Sequence, residues 1–315
     1  MTRTPNAVTD LPEDLPAPAR ARARALRHLA WARQGGLGRL IEEDDLDPRE
    51  RAHQAWARAR WRASHGGPPG QARPVLVVGV QRSGTNMLLR GLQAMPEVEV
   101  HGENDRELFD RFRLRSVERL RSVVAASRHR VVLVKPLCDS HDTDRLLAVL
   151  DSGPGPDPRA VWAWRGVDGR VRSAVAKFGP ANQRVLTRIA EGGVDGSWQA
   201  GRMSPDLLAT IRELDPRRLD AASAAALFWW ARNSLVFATG LDTRPDVLLL
   251  RYEDVVADPV AELGRLCAFA GLPMRAEVAA HVSARAPAVQ HLEIEPRVRA
   301  LCAALTERLL EVGRS

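Results

Sequence analysis

Apolar positions are unevenly spread along the 315 residues. Four continuous apolar runs stand out: PVLVVG at 74–79, VVLV at 131–134, AVWAW at 160–164 and VLLL at 247–250. A weaker one, VEV, occupies 98–100. Continuous rather than alternating apolar character marks strands covered on both faces. Helix-length segments separate these runs. The pattern therefore predicts an α/β fold: a doubly wound parallel sheet of four or five strands flanked by helices, its core spanning 74–275. The run AASAAALFWWARNSLVFATG, 221–240, is apolar on every side and predicts a buried helix. The Gly-rich segment GGVDGSWQAG, 192–201, reads as a loop and a candidate lid. Residues 276–315 read as C-terminal helices broken at Pro287 and Pro296.

The first 73 residues follow a different pattern. Residues 1–17 are polar and Pro-rich and read as disordered. Two Ala/Arg-rich runs, 18–34 and 48–64, favour helix, and HGGPPGQ at 65–71 is a linker. The chain thus divides into an N-terminal helical extension, 1–73, and a main domain, 74–315.

Composition narrows the class. Hydrophobic residues make up 45% and charged residues 27%, as in soluble globular proteins. No apolar run approaches the roughly 20 residues that span a bilayer, and no secretory signal is visible. Cys138, Cys267 and Cys302 lack metal-ligand spacing and are odd in number, which fits a reducing cytoplasm rather than a disulfide framework. The formal net charge is +7, too diffuse to announce a nucleic-acid partner. Of 46 basic residues, only Lys135 and Lys177 are lysines. Such arginine and alanine richness reads as a GC-rich coding bias, which points to a bacterial source. Most arginines then carry no functional message, and the two lysines become the positions to explain.

Ligands of open α/β sheets bind beyond the carboxyl ends of the strands. The first strand runs into Gly79-Val80-Gln81-Arg82-Ser83-Gly84-Thr85 and then a helix. A Gly-bounded loop between strand and helix aims N–H groups and a helix dipole at an anion. The spacing of Gly79 and Gly84 matches the nucleoside-triphosphate loop GxxxxGK[ST], but Thr85 stands where its lysine belongs and the cation has moved to Arg82. The later strands end in Lys135, Arg165 and Arg251. None ends in the carboxylate that a magnesium-dependent NTPase uses to hold its metal. The crevice reads as a metal-free anion site lined by several cations. Arg165 with Ser173, one helix start later, makes a reasonable phosphate clamp.

These residues resemble the sulfotransferases that use 3′-phosphoadenosine-5′-phosphosulfate (PAPS). VQRSGTN resembles that family's 5′-phosphosulfate loop, and Arg165 with Ser173 has the spacing of its 3′-phosphate motif. RYEDVVADPVAELGRLCAFAGLP, 251–273, resembles its strand–turn–helix after the last core strand, and ALFWWARN the helix before it. The resemblance covers 74–275. It implies a P-loop-type sheet and transfer of a sulfuryl group from PAPS to a hydroxyl or amine, leaving adenosine 3′,5′-bisphosphate. It implies that Arg82, Ser83, Gly84, Thr85 and Asn86 hold the phosphosulfate, Asn86 replacing a commoner threonine. Arg165 and Ser173 would hold the 3′-phosphate, and Tyr252 is a candidate nucleotide contact. Lys135 would stabilise charge on the transferred group.

The histidine that cytosolic relatives place two residues after that lysine is Leu137 here. Other branches use a glutamate after the second strand, and Glu103 stands there. Glu103 is the expected general base, with His101 and His141 in reserve; Asp139 either orients His141 or caps the next helix. Asp258 and Pro259 read as a helix cap and first turn. The acceptor, small molecule or saccharide, is shaped by 104–130 and 180–215. Two other classes stay open: a P-loop nucleotide kinase or NTPase, and a non-catalytic module binding nucleic acid or another anion.

Overall fold

A computed structural model describes residues 48–110, 112–153, 155–286 and 291–314. The runs read as a disordered start and first helix, 1–34, lie outside these residues, as does Pro287. Chain contacts divide the molecule into two units, Met1–Ala57 and Arg58–Ser315.

In chain order the main elements are α1 (Pro48–His65), β1 (Arg73–Gly79), α2 (Thr85–Gln93), β2 (Val98–His101), β3 (Phe109–Asp110), β4 (Arg113–Leu114), α3 (Val117–Ala126) and β5 (Val131–Val134). A 3-10 turn, Leu137–Asp142, leads to α4 (Thr143–Asp151), β6 (Arg159–Trp164), α5 (Val167–Phe178), α6 (Ala181–Ala190) and α7 (Pro205–Glu213). Then come α8 (Ala221–Asn233), α9 (Leu235–Ala238), β7 (Val247–Arg251), α10 (Tyr252–Ala257), α11 (Pro259–Ala270), α12 (Ala276–Ala279) and α13 (Pro296–Arg314).

Every run read as a strand is one. The five form a single parallel sheet in the order β2-β5-β1-β6-β7. The period of two along each strand sorts side chains between two cores. Val75, Val77, Val131, Leu133, Val161 and Ala163 join one cluster with α2 and α11. Leu76, Val78, Val132, Val134, Trp162 and Trp164 join the other with α3 to α8 and α13. Both faces are therefore covered, which is why these strands carry no polar alternation. The fold is a doubly wound, P-loop-type α/β sheet.

The order changes direction at β1: the chain steps out to β2, returns through β5, then passes to β6 and β7. The reversal falls at the carboxyl ends of β5, β1 and β6, the position where open α/β sheets bind their ligands. The expected apolar helix is α8, packed against α5, α6 and α13. Two of its residues grip β6: Asn233 Oδ1 accepts from Trp162 Nε1 at 3.1 Å, and Trp229 Nε1 donates to Arg165 O at 2.8 Å. Truncating such a buried tryptophan to alanine costs about 3–5 kcal/mol. Asp258 caps α11 through Ala261 N at 3.0 Å, and Pro259 is the helix's first residue, as the sequence predicts.

Candidate active site

The first loop is shaped by three residues in the left-handed region: Gly79 at φ 131°, Arg82 at 72° and Gly84 at 91°. A Cβ at Gly79 would lie 2.2 Å from Ala163 O, so only glycine lets β1 run this close to β6 at its end. The Ser140 hydroxyl accepts from Gly79 N at 3.1 Å and donates to Leu137 O at 2.7 Å, tying the loop to the turn after β5. Arg82 bears a left-handed backbone without being glycine, a strain of about 1–2 kcal/mol.

Ser83 is 2% exposed and its Oγ has no hydrogen-bond partner among the described residues. Buried hydroxyls without a partner are rare and ask for one. The loop feeds α2, which has no side-chain cap and no acidic residue in its first turn. By contrast α3, α7, α8 and α11 are capped by Ser116, Ser204, Asp220 and Asp258. α5, following β6, also starts on an uncapping glycine, Gly166. An orphan hydroxyl beside an uncapped helix start is a cradle for an oxyanion.

Arg165 leaves the end of β6 and lays its guanidinium 4.1 Å from the Tyr252 ring centre. Its Nε is buried without a partner among the described residues. Burial pulls this guanidinium below its ordinary value, and the neighbouring Arg82 and Arg172 add to that; Tyr252 and Glu253 oppose it. An anion arriving here would relieve the crowding of cations. Arg82 Nε donates to Ser173 Oγ at 3.0 Å, so the first loop and the serine of α5 are joined directly. Tyr252 also occupies the space a Cβ at Gly84 would need, 2.6 Å from its Cδ2. Its hydroxyl accepts from Arg285 Nη2 at 3.2 Å. Arg82, Ser83, Gly84, Arg165, Ser173 and Tyr252 thus form one patch. Arg251 does not share it. That strand-end arginine faces Glu253 Oε2 at 3.3 Å and lies 5.4 Å from the Trp164 ring centre, a structural pairing that removes it from the expected row of cations.

Lys135 answers from the end of β5. It is 6% exposed, and its ammonium donates to Asn86 Oδ1 at 2.6 Å and pairs with Glu103 Oε2 at 2.8 Å. Asn86, the departure from the commoner threonine, therefore ties this lysine to α2. An ammonium has three donors, so one remains for a ligand. A carboxylate and a cation at one strand end provide a proton acceptor next to a charge stabiliser.

The two reserve histidines sit in different surroundings. His101 points one nitrogen at Asp105 Oδ2, 2.5 Å, and the other at Glu99 Oε1, 3.3 Å. Burial alone would lower this imidazole; the two carboxylates outweigh it and hold it above its ordinary value. Glu99 in turn accepts from Ser127 and His129, and despite burial its carboxyl is held well below the usual range. His141 lies under Gly201, faces Asp142 at 3.3 Å, and is lowered by burial and by Arg232. Asp139 neither orients His141 nor caps a helix. It accepts from Arg113 Nε at 2.5 Å and Leu114 N at 2.8 Å, pinning the β3–β4 hairpin to the turn after β5.

Two arginines were not singled out from the sequence. Arg170 in α5 is 0% exposed and donates to Gln81 O, Ala225 O and Asn182 Oδ1 at 3.2, 2.8 and 3.3 Å. Arg232 in α8 donates to Trp198 O and Gln199 O at 3.2 and 3.4 Å, holding down the Gly-rich loop. The signal was available: Arg170 shares an apolar helix face with Val167, Val171 and Ala174. It was hidden by the arginine background.

No protein-family model and no curated protein matches the chain. Solved structures do. A sulfotransferase from Alicyclobacillus acidocaldarius is 18% identical, with a TM-score of 0.46 over 77% of this chain and 96% of its own. A sulfotransferase domain from the curacin biosynthetic pathway is 12% identical, with a TM-score of 0.44 over 75% and 98%. A Mycobacterium avium sulfotransferase is 15% identical, with a TM-score of 0.41 over 96% and 98%. These solved structures similar to the chain are sulfotransferases.

Proposed function

We propose that the protein is a sulfotransferase that takes the sulfuryl group of PAPS and delivers it to a hydroxyl or amine of a small-molecule or saccharide acceptor. The observation that carries this reading is the pair of complementary sites at the carboxyl end of the central strands. One is an oxyanion cradle where, among the described residues, the Ser83 hydroxyl and Arg165 Nε have no partner. The other is a buried lysine held between Asn86 and a carboxylate. The donor set fits a doubly anionic nucleotide. Ser83, Arg82 and the start of α2 face one anionic group, and Arg165 with Ser173 the other. Tyr252 offers a ring beside them.

When bound, PAPS supplies an activated sulfuryl group that leaves its phosphate for the acceptor. The chain's own residues do the rest. Glu103 accepts the proton of the acceptor hydroxyl or amine. Lys135 and Arg82 stabilise negative charge as it shifts toward the leaving phosphate, in the place where a phosphoryl-transfer enzyme puts a metal. Lys135 is a compact point charge with rotatable donors, which an arginine fork does not reproduce. That difference accounts for a lysine at this position in an arginine-rich chain.

A kinase or NTPase needs a lysine in the first loop, where Thr85 stands, and a metal-holding carboxylate at the ends of the central strands, where Lys135 and Arg165 stand. The experiment is a calorimetric titration with adenosine 3′,5′-bisphosphate, with AMP and ATP as controls. The bisphosphate should bind at least tenfold more tightly than AMP. Arg165→Ala should erase that preference, since charge-assisted hydrogen bonds to phosphate contribute about 1.5–3 kcal/mol. Equal binding of AMP and bisphosphate by the native protein overturns the assignment of Arg165 and Ser173.

A further inference from the structure

We propose that Arg170 is a positioning residue of the anion site, holding the first loop from beneath and lending it a positive charge with which no carboxylate among the described residues pairs. The proposal rests on the reading of that loop as the holder of the donor's 5′ group. Four observations support it.

The guanidinium is fully buried, and its contacts are two carbonyl oxygens, one amide oxygen and the Phe228 ring, whose centre is 5.4 Å away. Among the described residues no carboxylate pairs with it. A second donor nitrogen, Nη2, is buried with no partner among the described residues. The one carbonyl the guanidinium takes from the first loop is Gln81 O, in the residue before Arg82.

Buried charges are ordinarily paired, because leaving one bare is expensive. Arg170 departs from that rule beside the loop where the 5′ anion is expected, as Arg232 does beneath the Gly-rich loop. Burial first, and the charge of Arg82 second, pull it down to about 9, so it remains protonated at neutral pH. It acts through the loop and touches no ligand. Gln81 O is held back toward α5, which keeps the left-handed turn at Arg82 formed. The low-dielectric surroundings carry the charge to the loop with little screening. The same guanidinium ties α5 to α8 through Ala225 O. One side chain therefore couples the first loop to the helix bearing Ser173 and to the helix gripping β6.

The test separates charge at the 5′ loop from general support of the fold. Arg170→Gln keeps a donor and removes the charge. Its affinity for adenosine 3′,5′-bisphosphate should fall at least tenfold, while adenosine 3′-monophosphate, which lacks the 5′ anion, should bind within twofold of the native protein. The loss should persist from 50 to 500 mM salt. Equal loss on both ligands, or none on the bisphosphate, overturns the proposal. If the Gln variant melts below the assay temperature, Arg170→Lys carries the test. An ammonium cannot hold Gln81 O and Ala225 O together as the planar fork does, so a threefold or greater loss is expected, again confined to the bisphosphate; parity overturns the proposal. A native protein that ignores the bisphosphate but binds pyrophosphate, in a manner lost in Arg170→Gln, would retire the PAPS reading and retain this one. Binding of neither retires both.

Discussion

The half of the site around Arg82 and Arg165 hangs on glycines and strand ends, whereas the half around Lys135 hangs on side chains reaching in from several elements. In the first, the loop's shape comes from Gly79 and Gly84 and its charges from residues next to them in sequence or at the end of a strand. In the second, Lys135 is placed by Asn86 from α2 and Glu103 from beyond β2. The β3–β4 hairpin is pinned by Asp139 and the Gly-rich loop by Arg232. A backbone-built half tolerates little change and keeps its pattern. A side-chain-built half can be remodelled contact by contact, as expected where acceptors differ.

The sharpest way to test that contrast is to break the second half and leave the first intact. Glu103→Gln should bind adenosine 3′,5′-bisphosphate normally and lose turnover by about 10²–10⁴-fold, the usual contribution of a general base. Bisphosphate titration beside a sulfate-transfer assay reads both quantities. Unchanged turnover would move the proton acceptor to another group. A smaller effect is expected from Asp139→Asn, which weakens the hold on Arg113 while keeping an acceptor for Leu114 N. The KM for acceptor should rise several-fold with bisphosphate affinity unchanged. A matching loss of bisphosphate affinity would show that the two halves are not separable.

The smallest effects belong to pH. His101 is held above its ordinary value, so its contribution to stability is complete below about pH 6.5 and disappears as pH rises through the raised value. His141 is held below its ordinary value, so the fold weakens as pH falls through about 6.5. The two histidines thus oppose each other. His101→Gln should flatten the alkaline decline in melting temperature, and His141→Asn should flatten part of the acid decline, each by a few degrees. Melting curves from pH 5 to 9 on both variants decide this; a shared direction would contradict the assigned environments.

Much of the fold was legible because the strands announce themselves as unbroken apolar runs; even VEV at 98–100 is a strand, at the sheet edge. The Gly79–Gly84 loop was legible for the same local reason. Where Arg251 and Asp139 point was not, because each is decided by a partner brought in by folding: Glu253 and the β4 backbone. Arg170 was the hardest to see. In a chain with two lysines and 44 arginines, one more arginine draws no notice, and only burial distinguishes it.

Gly84 and Tyr252 meet across 168 positions of sequence, and their contact sets an order on inherited change. The glycine is excluded from substitution twice, by its left-handed backbone and by the ring 2.6 Å from where a Cβ would sit. Replacing Tyr252 by a smaller residue lifts the second restriction and leaves the first. The tyrosine is thus held by its side-chain contacts alone, the glycine by its backbone as well. Among diverging descendants of this chain, the glycine should outlast its aromatic partner.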